Sequence, residues 1–361
     1  MLITVIDNIE QFHQLKTSWE QVYNSDQYAQ IFLSWSWLRG YLEYSPQKWL
    51  ILALQSDYNS PYIGFFPIGI RSLEWKGFGL YKVLCMAGEP LADYTGFICL
   101  PEYEEQVISA FASYVQENLE WDYFHIKEIS DPRFENFLKY FSQDKFELEI
   151  TPGSSCSYIP LSTSWEEYLQ DILSSKARKN LRYALRQFES QINICLKESQ
   201  SDNFEIQLNA LLTLMQMQRG SQPEHLLNVY REIFLRVAEN NNLWLSILWE
   251  GEEPIAGTGI LVDDQRKRIY GCMTGYNPKY SKLSPGRVII AYSIQKAIKN
   301  NIEIYDFLRG NESYKFSFFG TTEKINTDYV INRKAFRTSV IKIIKQISPV
   351  RKLIRSYIKP F

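Results

Sequence analysis

One segment of the chain combines residue types that could bind a phosphate group. Ser284-Pro285-Gly286 is typical of a helix N-terminus, where serine caps, proline takes the first turn and glycine lets another group approach the backbone. Such a helix start presents N–H groups and the positive end of the helix dipole, which together bind phosphate. Lys282 and Arg287 add positive charge beside it. An ordinary capped helix is the simpler explanation of the tripeptide taken alone.

A second segment is a basic helix. Arg178, Arg182 and Arg186 recur every four residues and therefore share one helix face, with Lys179 adjacent. No acidic residue occurs from 174 to 188. A row of guanidinium groups could recognise a pyrophosphate or an acidic glycan. A solvent-exposed helix face is the equal alternative.

Several familiar catalytic and metal sites are absent from the sequence. It contains no GxGxxG, GxxxxGK[ST] or HExxH motif, and its histidines are His13, His125 and His225 only. The 5 cysteines are odd in number, widely scattered and free of CxxC spacing. They predict neither a disulfide framework nor a zinc site, so we expect no metal.

The elements that position these segments follow from aromatic and β-branched runs separated by turn residues. Strands are predicted at 4–6, 49–54, 62–70, 80–86, 94–99, 123–128, 243–249, 255–262, 268–274 and 302–307. Helices are predicted at 9–23, 35–43, 104–118, 165–172, 177–190, 205–217, 226–239 and 287–299. The fold class is therefore α/β (α+β), with antiparallel strands in the middle of each sheet.

The order of elements repeats, so the two halves look like diverged copies. Three pairs of markers carry the match: Trp49-Leu50 with Trp244-Leu245, Ile63-Gly64 with Ala256-Gly257, and Trp121-Asp122-Tyr123 with Tyr305-Asp306-Phe307. The turn-rich stretch 151–155 is the predicted boundary. We expect an N-terminal domain at 1–152, a C-terminal domain at 153–331 and a separate tail at 332–361.

Taken together, these features resemble a known family. The stretch from 271 to 315 is similar to the C-terminal half of bacterial GNAT-type acetyltransferases of the BioF2-like or CelD type, which are relatives of the FemAB peptidoglycan aminoacyltransferases. The resemblance rests on Gly275-Tyr276, Tyr280, Ser284-Pro285-Gly286, Tyr305-Asp306-Phe307, Arg309-Gly310 and Tyr314-Lys315. Upstream support comes from the basic helix, Phe32-Leu33-Ser34-Trp35 and Asp93-Tyr94. The resemblance to the family covers about residues 20–331.

The resemblance implies a tandem of two GNAT-like domains, with the acyl donor bound in the second. The acyl-CoA pyrophosphate would lie at the helix start formed by Lys282, Ser284, Gly286 and Arg287. Backbone N–H groups near Gly271–Thr274 would hold the acyl carbonyl. The general GNAT phosphate loop carries more glycines than Lys282–Gly286, which leaves room for a different donor.

The remaining roles follow from the chemistry of acyl transfer, which needs a base, oxyanion donors and an acid for the leaving group. Asp306 ends a predicted strand and is the candidate base; a cap or an ion pair with Arg309 is its structural alternative. Tyr314 lies where GNAT enzymes place the leaving-group acid, with aromatic packing as its alternative. Substrate contacts are expected from Arg178, Arg182, Tyr276, Arg309 and Lys315.

Charge is distributed unevenly along the 361 residues. The formal net charge of the whole chain is −2. The segment 332–361 carries nine Lys or Arg and no acidic residue, so residues 1–331 have a net charge of −11. An acidic body makes nucleic-acid binding unexpected. The tail, with Val340, Ile341, Ile344 and Ile347 at helical spacing, fits an anionic membrane surface or a helix packed on the protein's own body.

These observations lead to one expected function and two alternatives. We expect a cytoplasmic acyltransferase that uses acetyl-CoA or another acyl-CoA as co-substrate. Its tail at 332–361 would allow peripheral association with the inner membrane surface. Its acceptor would be a small molecule or glycan, such as a sugar or an envelope or exopolysaccharide precursor. The alternatives are an aminoacyl-tRNA-dependent, FemAB-like peptidoglycan transferase and a non-catalytic partner of a polysaccharide-synthesis complex.

A sequence of 45% hydrophobic and 15% aromatic residues excludes a disordered chain.

Overall fold

The computed structural model describes residues 1–75 and 78–334. The predicted amphipathic tail lies outside these residues beyond position 334. The described residues divide into two units: unit 1 comprises Met1–Ser154 and residues 325–334, and unit 2 comprises Ser155–Lys324. The predicted domain boundaries after 152 and 331 stay predictions, because compactness alone does not define an independently folding domain.

The described strands and helices are numbered in chain order. The strands are β1 (Leu2–Ile6), β2 (Lys48–Gln55), β3 (Tyr62–Trp75), β4 (Phe78–Met86), β5 (Ile98–Cys99), β6 (Tyr123–Ile129), β7 (Phe146–Pro160), β8 (Ile194–Glu198), β9 (Leu243–Glu250), β10 (Glu253–Asp263), β11 (Arg268–Tyr276), β12 (Ile304–Arg309) and β13 (Thr322–Arg333). The α-helices are α1 (Ile9–Gln14), α2 (Lys16–Ser25), α3 (Trp35–Tyr44), α4 (Glu104–Glu117), α5 (Arg133–Leu138), α6 (Trp165–Glu167), α7 (Ser175–Glu189), α8 (Phe204–Arg219), α9 (Glu224–Glu239), α10 (Pro285–Lys299) and α11 (Ser313–Phe319).

Unit 1 is built on a mixed sheet in the strand order β1-β2-β3-β4-β6-β13. Its neighbouring strands are antiparallel except β4 and β6, which run parallel. Adjacent residues of β3 face opposite sides of the sheet. Phe65 stacks on Trp19 of α2 with ring centroids 4.7 Å apart, whereas Phe66 packs against Phe111 of α4 and Phe137 of α5. Helices therefore cover both faces.

Unit 2 repeats this arrangement in the order β7-β12-β11-β10-β9-β8. The pair β11 and β12 is parallel, and the other neighbours are antiparallel. Helices α7 and α10 share one apolar cluster with the sheet, which includes Leu181, Ile260 and Ile294. Helix α8 packs on the opposite face. The predicted tandem of two α/β units, each with a largely antiparallel sheet flanked by helices, is confirmed.

The repeat extends to a local irregularity in β6 of unit 1 and β12 of unit 2, each next to the last strand at one end of its sheet. Glu128 in β6 and Leu308 in β12 have φ angles of 58° and 60°. Each lies at a register shift against the neighbouring strand. A non-glycine residue with positive φ is uncommon, so its recurrence at the same place in both sheets is specific evidence for the duplication.

The three sequence markers lie in or directly before corresponding strands, as predicted, but the last two pairs are not equivalent residue by residue. Matching Glu128 with Leu308 places Asp306 level with Ile126 and not with Asp122. Gly64 faces Val107 of α4, whereas Gly257 faces Leu211 and Leu214 of α8 on the other side of its sheet. Short dipeptides do not specify which face of a sheet a residue occupies, and that face decides equivalence.

Two secondary-structure predictions also need correction. The stretch 151–155 is not a turn, because it lies inside β7. A Cβ atom on Gly153 would lie 2.6 Å from Asp328 Oδ1, so glycine serves close packing there and does not interrupt the strand. The predicted helix at 9–23 is two helices, α1 and α2, that meet at Leu15.

Candidate active site in unit 2

The two parallel strands of unit 2 pair over a short distance only. β11 and β12 are in register from Arg268↔Ile304 to Tyr270↔Asp306. β11 then has a bulge at Cys272, between the pairs Ile260↔Gly271 and Gly259↔Met273. Beyond this point the described residues show no further pairing between β11 and β12, although both strands continue. The backbone of 271–276 is therefore unpaired on the side of β12, and we name this unpaired stretch between the two strands the opening.

Gly271 and Thr274 lie on β11 beside this opening. A Cβ atom on Gly271 would be 3.3 Å from the hydroxyl of Tyr305, and that hydroxyl lies 3.1 Å from Ser293 Oγ. Burial raises the pKa of Tyr305 above its usual value, so the phenol stays neutral. The Thr274 hydroxyl lies 3.2 Å from that of Thr258 on β10. Both predicted donor-binding positions are thus next to the bulge.

Helix α10 begins beside the end of β11, as predicted, but its cap differs from the prediction. Ser284 has φ 51° and ψ 46° in the left-handed region, and its side chain makes no capping hydrogen bond. Its carbonyl instead accepts from the N–H groups of Arg287 and Val288 at 3.0 and 3.2 Å. Because Pro285 has no N–H group, the first amide at this helix start is that of Gly286.

The side chains around this helix start supply charge and one aromatic wall. Lys282 and Arg287 are exposed, and the Arg287 guanidinium lies 4.3 Å from the centre of the Phe318 ring. A Cβ atom on Gly286 would lie 3.2 Å from Tyr276 Cδ1. The structure thus brings Tyr276 to the predicted donor site, although it was predicted as a substrate contact.

Asp306 is 3% exposed on β12. Its Oδ1 accepts the N–H of Leu308 at 2.8 Å, which fixes the positive-φ residue that follows. In unit 1 the equivalent N–H, that of Glu128, donates to Asp328 Oδ1 at 2.9 Å. A carboxylate therefore holds this bulge in both units, so Asp306 has a structural task besides its predicted role as base.

Tyr314 lies at the start of α11 and is half-buried. Its ring meets Phe319 edge-on with centroids 6.2 Å apart. Burial, followed by the nearby Glu312 carboxylate, raises the pKa of Tyr314 to about 12. The phenol is therefore protonated at neutral pH, as a leaving-group acid must be.

Lys315 is 3% exposed, and its ammonium group is engaged by the chain itself. Its Nζ donates to the carbonyls of Arg309 and Gly310 at 3.0 and 3.1 Å and lies 3.0 Å from Glu312 Oε2. An ammonium group has three protons. The geometry therefore favours a lysine that fixes the turn after β12, and the substrate contact predicted for Lys315 stays a prediction. Arg309 lies on β12 opposite Cys156 and is partly exposed.

The basic helix α7 carries its arginines in two different settings. Ser174 caps the helix by accepting the Ala177 N–H at 3.2 Å. Arg178 is partly buried, and its Nε atom has no hydrogen-bond partner among the described residues. Arg182 is exposed and lies 2.5 Å from Glu166 Oε2. Because exposed pairs contribute little to stability, that ion pair does not prevent Arg182 from meeting a ligand.

A group of contacts next to the site was missed at the sequence level. The hydroxyl of Tyr280 lies within 2.7 Å of carboxylate oxygens from both Glu250 and Glu253. The two glutamates flank the turn between β9 and β10. The turn itself is foreseeable from the Gly251 between two predicted strands, but nothing in the sequence indicates its contact with Tyr280.

Unit 1 fills the corresponding opening with its own chain. Thr95 forms a parallel bridge with Ile129. Its N–H donates to the Glu128 carbonyl at 3.0 Å, and its hydroxyl donates to the Lys127 carbonyl. The neighbouring Tyr94 is 2% exposed. The edge of β6 that could receive an acyl donor is therefore occupied in unit 1.

Comparison with known proteins agrees with this geometry. Residues 175–316, which lie in unit 2, match the family described as an acetyltransferase (GNAT) domain. They include the basic helix, the opening and the start of α10. Unit 2 therefore contains a GNAT-type acyltransferase domain, and the protein is an enzyme of the acyltransferase class. No protein with a curated description matches the chain in sequence.

Solved structures with the same fold extend over both units. FemX superposes with a TM-score of 0.63 at 9% identity, covering 95% of this chain and 100% of FemX. A conserved protein of unknown function from Bacteroides thetaiotaomicron gives 0.58 at 11% identity, covering 92% and 100%. L-PGS from Bacillus licheniformis gives 0.55 at 11% identity, covering 93% and 96%. At such low identities these similarities establish the fold only.

Among the described residues, no group of three or more His, Cys, Asp or Glu side chains is arranged to hold a metal ion. Within the same residues, no helix combines the length and apolar character needed to cross a membrane.

Proposed function

We propose that the protein is an acyl-CoA-dependent N- or O-acyltransferase of the BioF2-like or CelD type. It transfers an acyl group directly onto a sugar or an envelope or exopolysaccharide precursor. The observation that carries the proposal is the end of the β11–β12 ladder at Tyr270 and Asp306. That opening lies on the same sheet as the bulge at Cys272, and α10 begins nearby. An extended acyl donor needs such an opening, because its carbonyl must meet backbone N–H groups.

The residues around the opening suit the parts of the donor. A diphosphate at the start of α10 would meet the Gly286 N–H and the charges of Lys282 and Arg287. Pro285 supplies no donor, and Arg287 N–H and Val288 N–H already donate to Ser284. The site therefore offers one helix amide and two cations, so affinity for the diphosphate would depend mainly on charge.

The chemical step needs proton movements at two atoms. The acceptor nitrogen or oxygen bonds to the acyl carbon, and the bond from that carbon to the donor sulfur breaks. The acceptor proton passes to a base, for which Asp306 is the candidate, and the phenol of Tyr314 protonates the departing sulfur. Tyr314 holds the proton at neutral pH, because burial raises its pKa to about 12, and it gives the proton up only to a strong base such as a departing thiolate.

A second candidate function uses a different donor. The start of α10 offers few backbone N–H groups to a diphosphate, and the fold is similar to that of FemX. These two observations support aminoacyl-tRNA as the second candidate donor. In that case Lys282, Arg287 and the arginines of α7 would meet nucleotide phosphates. A third candidate, a non-catalytic partner of a polysaccharide-synthesis complex, predicts that no donor binds.

We place the enzyme in the cytoplasm, with membrane association through 332–361 as a further part of the proposal.

Ligand-dependent thermal stability tests the donor. Acetyl-CoA, longer acyl-CoAs, free CoA and an aminoacyl-tRNA are added separately, and a ligand at about a hundred times its dissociation constant should add roughly 2.7 kcal/mol of apparent stability. We expect a shift with acyl-CoA that the Gly286→Asp variant abolishes, because that change adds a negative charge and crowds Tyr276.

The matched control places the same charge at another helix start. Thr17 is exposed in the first turn of α2 in unit 1, and Thr17→Asp should leave the acyl-CoA shift unchanged. A shift with aminoacyl-tRNA alone would select the second candidate. No shift with any donor would contradict both transferase proposals.

A further inference from the structure

Glutamates beside the turn between β9 and β10 bind the segment that leads into α10. The hydroxyl of Tyr280 lies 2.6 Å from Glu250 Oε2 and 2.7 Å from Glu253 Oε2. Lys279 Nζ lies 2.7 Å from Glu253 Oε2, and Asn277 Nδ2 donates to Glu253 Oε1 at 3.1 Å. We name Glu250, Glu253, Lys279 and Tyr280 the acidic clamp.

The acidic clamp contains two carboxylates, one ammonium group and one phenol. A phenol has one proton, so Tyr280 can donate to only one of the two carboxylates at a time. Lys279 offsets the charge of Glu253 and, by hydrogen bonding, lowers the pKa of that carboxyl. Hydrogen bonding to Glu250, followed by burial, raises the pKa of Tyr280 to about 12. The tyrosine hydroxyl is therefore the contact that joins Glu250 to this segment, whereas Glu253 is also held by Lys279 and Asn277.

The clamped segment ends at a backbone position that needs support. The 3-10 helix Pro278–Leu283 leads directly to Ser284, whose φ of 51° is unfavourable for a residue with a side chain. Ser284 in turn anchors the first turn of α10 through its carbonyl. Such a conformation persists only where neighbouring contacts fix it, and the acidic clamp supplies contacts on one side.

We propose that Tyr280 is a positioning residue for the acyl donor. Through the acidic clamp it holds 277–284 so that the Gly286 N–H, Lys282 and Arg287 face the donor diphosphate together. This inference rests on the proposed function, because it assigns the start of α10 to the donor. Tyr280 itself touches the glutamates and not the donor.

Removal of the hydroxyl tests the proposal. Tyr280→Phe keeps the ring, and we expect it to weaken CoA binding about tenfold in calorimetry. Binding of S-acetylpantetheine, which lacks the diphosphate, should change less than twofold. Tyr140→Phe makes the same change on an exposed tyrosine of unit 1 and should affect neither ligand. Equal losses for both ligands, or unchanged CoA binding, would overturn the proposal.

Hydrogen exchange gives a readout that does not depend on any ligand. In Tyr280→Phe the hydrogen-bonded amides of Ser284, Arg287 and Val288 should exchange at least tenfold faster than in the unaltered protein, while those of β9 stay protected. Glu253→Gln, a change at a partly exposed carboxylate, should act in the same direction. If the unaltered protein does not bind CoA, the proposed function fails. Unchanged exchange in both variants shows that the acidic clamp does not hold the loop.

Discussion

Asp306 illustrates how one buried side chain can have a structural and a chemical task. The carboxylate is 3% exposed and accepts the N–H of Leu308. That N–H belongs to a residue with positive φ, so without the carboxylate the bulge would lose a fixed contact. A base at this position is therefore held in place by the irregularity that it stabilises. The two tasks separate when the charge and the acceptor atom are removed independently.

Substitution of Asp306 distinguishes these tasks. Asp306→Asn keeps an oxygen acceptor for the Leu308 N–H, so its free energy of unfolding should fall by at most about 1 kcal/mol. If Asp306 is the base, turnover of acyl-CoA with an acceptor should fall on the order of 10²-fold or more. Asp306→Ala should in addition lower the free energy of unfolding by about 1–3 kcal/mol, because it leaves a buried N–H without a partner. Denaturant unfolding and acyl-CoA consumption measure the two effects. Full turnover in Asp306→Asn would exclude the base.

At the scale of elements, α8 approaches the sheet of unit 2 closely enough to require glycine. A Cβ atom on Gly275 would lie 2.6 Å from the backbone of Leu214 and Met215, and one on Gly259 would lie 3.0 Å from Leu211 and Phe234. Backbone atoms of a helix cannot move aside as a side-chain tip can. The glycines of β10 and β11 therefore set the distance between helix and sheet, and β11 is the strand that carries the bulge.

Substitution of Gly275 measures this constraint. Gly275→Ala should lower the free energy of unfolding by about 1–3 kcal/mol or more, because the added methyl group overpacks the contact with α8. Gly96→Ala is the matched control, since its Cβ would meet no atom closer than 3.5 Å, from Leu33. The denaturation midpoint of each variant gives the comparison. Equal midpoints for the two variants would mean that α8 can shift away from the sheet.

The elements also show what sequence can and cannot supply. Helix α10 and the strands before and after it were predictable, because capping residues and aromatic runs are local features. The left-handed Ser284, the engagement of Lys315 by backbone carbonyls and the contact of Tyr280 with the β9–β10 turn were not. The Tyr280 contact joins segments about thirty residues apart. The Lys315 contacts depend on how the chain turns after β12, and the Ser284 conformation is a backbone angle that residue type does not dictate.

At the scale of the whole molecule, the chain completes its sheets out of order. Unit 1 takes its last strand from β13 near the end of the chain, where Ile331 pairs with Phe124 of β6. The strand that follows α5, β7, pairs with β12 of unit 2 through Cys156–Pro160. Local pattern could not reveal this exchange, since in sequence β7 directly follows the elements of unit 1 and β13 directly follows those of unit 2. The fold of unit 1 consequently depends on residues that lie about two hundred positions away in sequence.

Two shortened chains test this dependence. Removal of 325–361 takes away β13 residues from unit 1, including Tyr329 and Ile331, which are 6% and 0% exposed. Burial of two such side chains contributes roughly 3–6 kcal/mol, a large part of a typical domain stability of about 5–15 kcal/mol. The β6 amides at 123–129 should therefore lose their protection from hydrogen exchange. The control lacks only 335–361, keeps β13 and should retain that protection. Retained protection in the shorter chain would show that β6 does not need β13, because the sheet of unit 1 would then be stable on its remaining strand pairs.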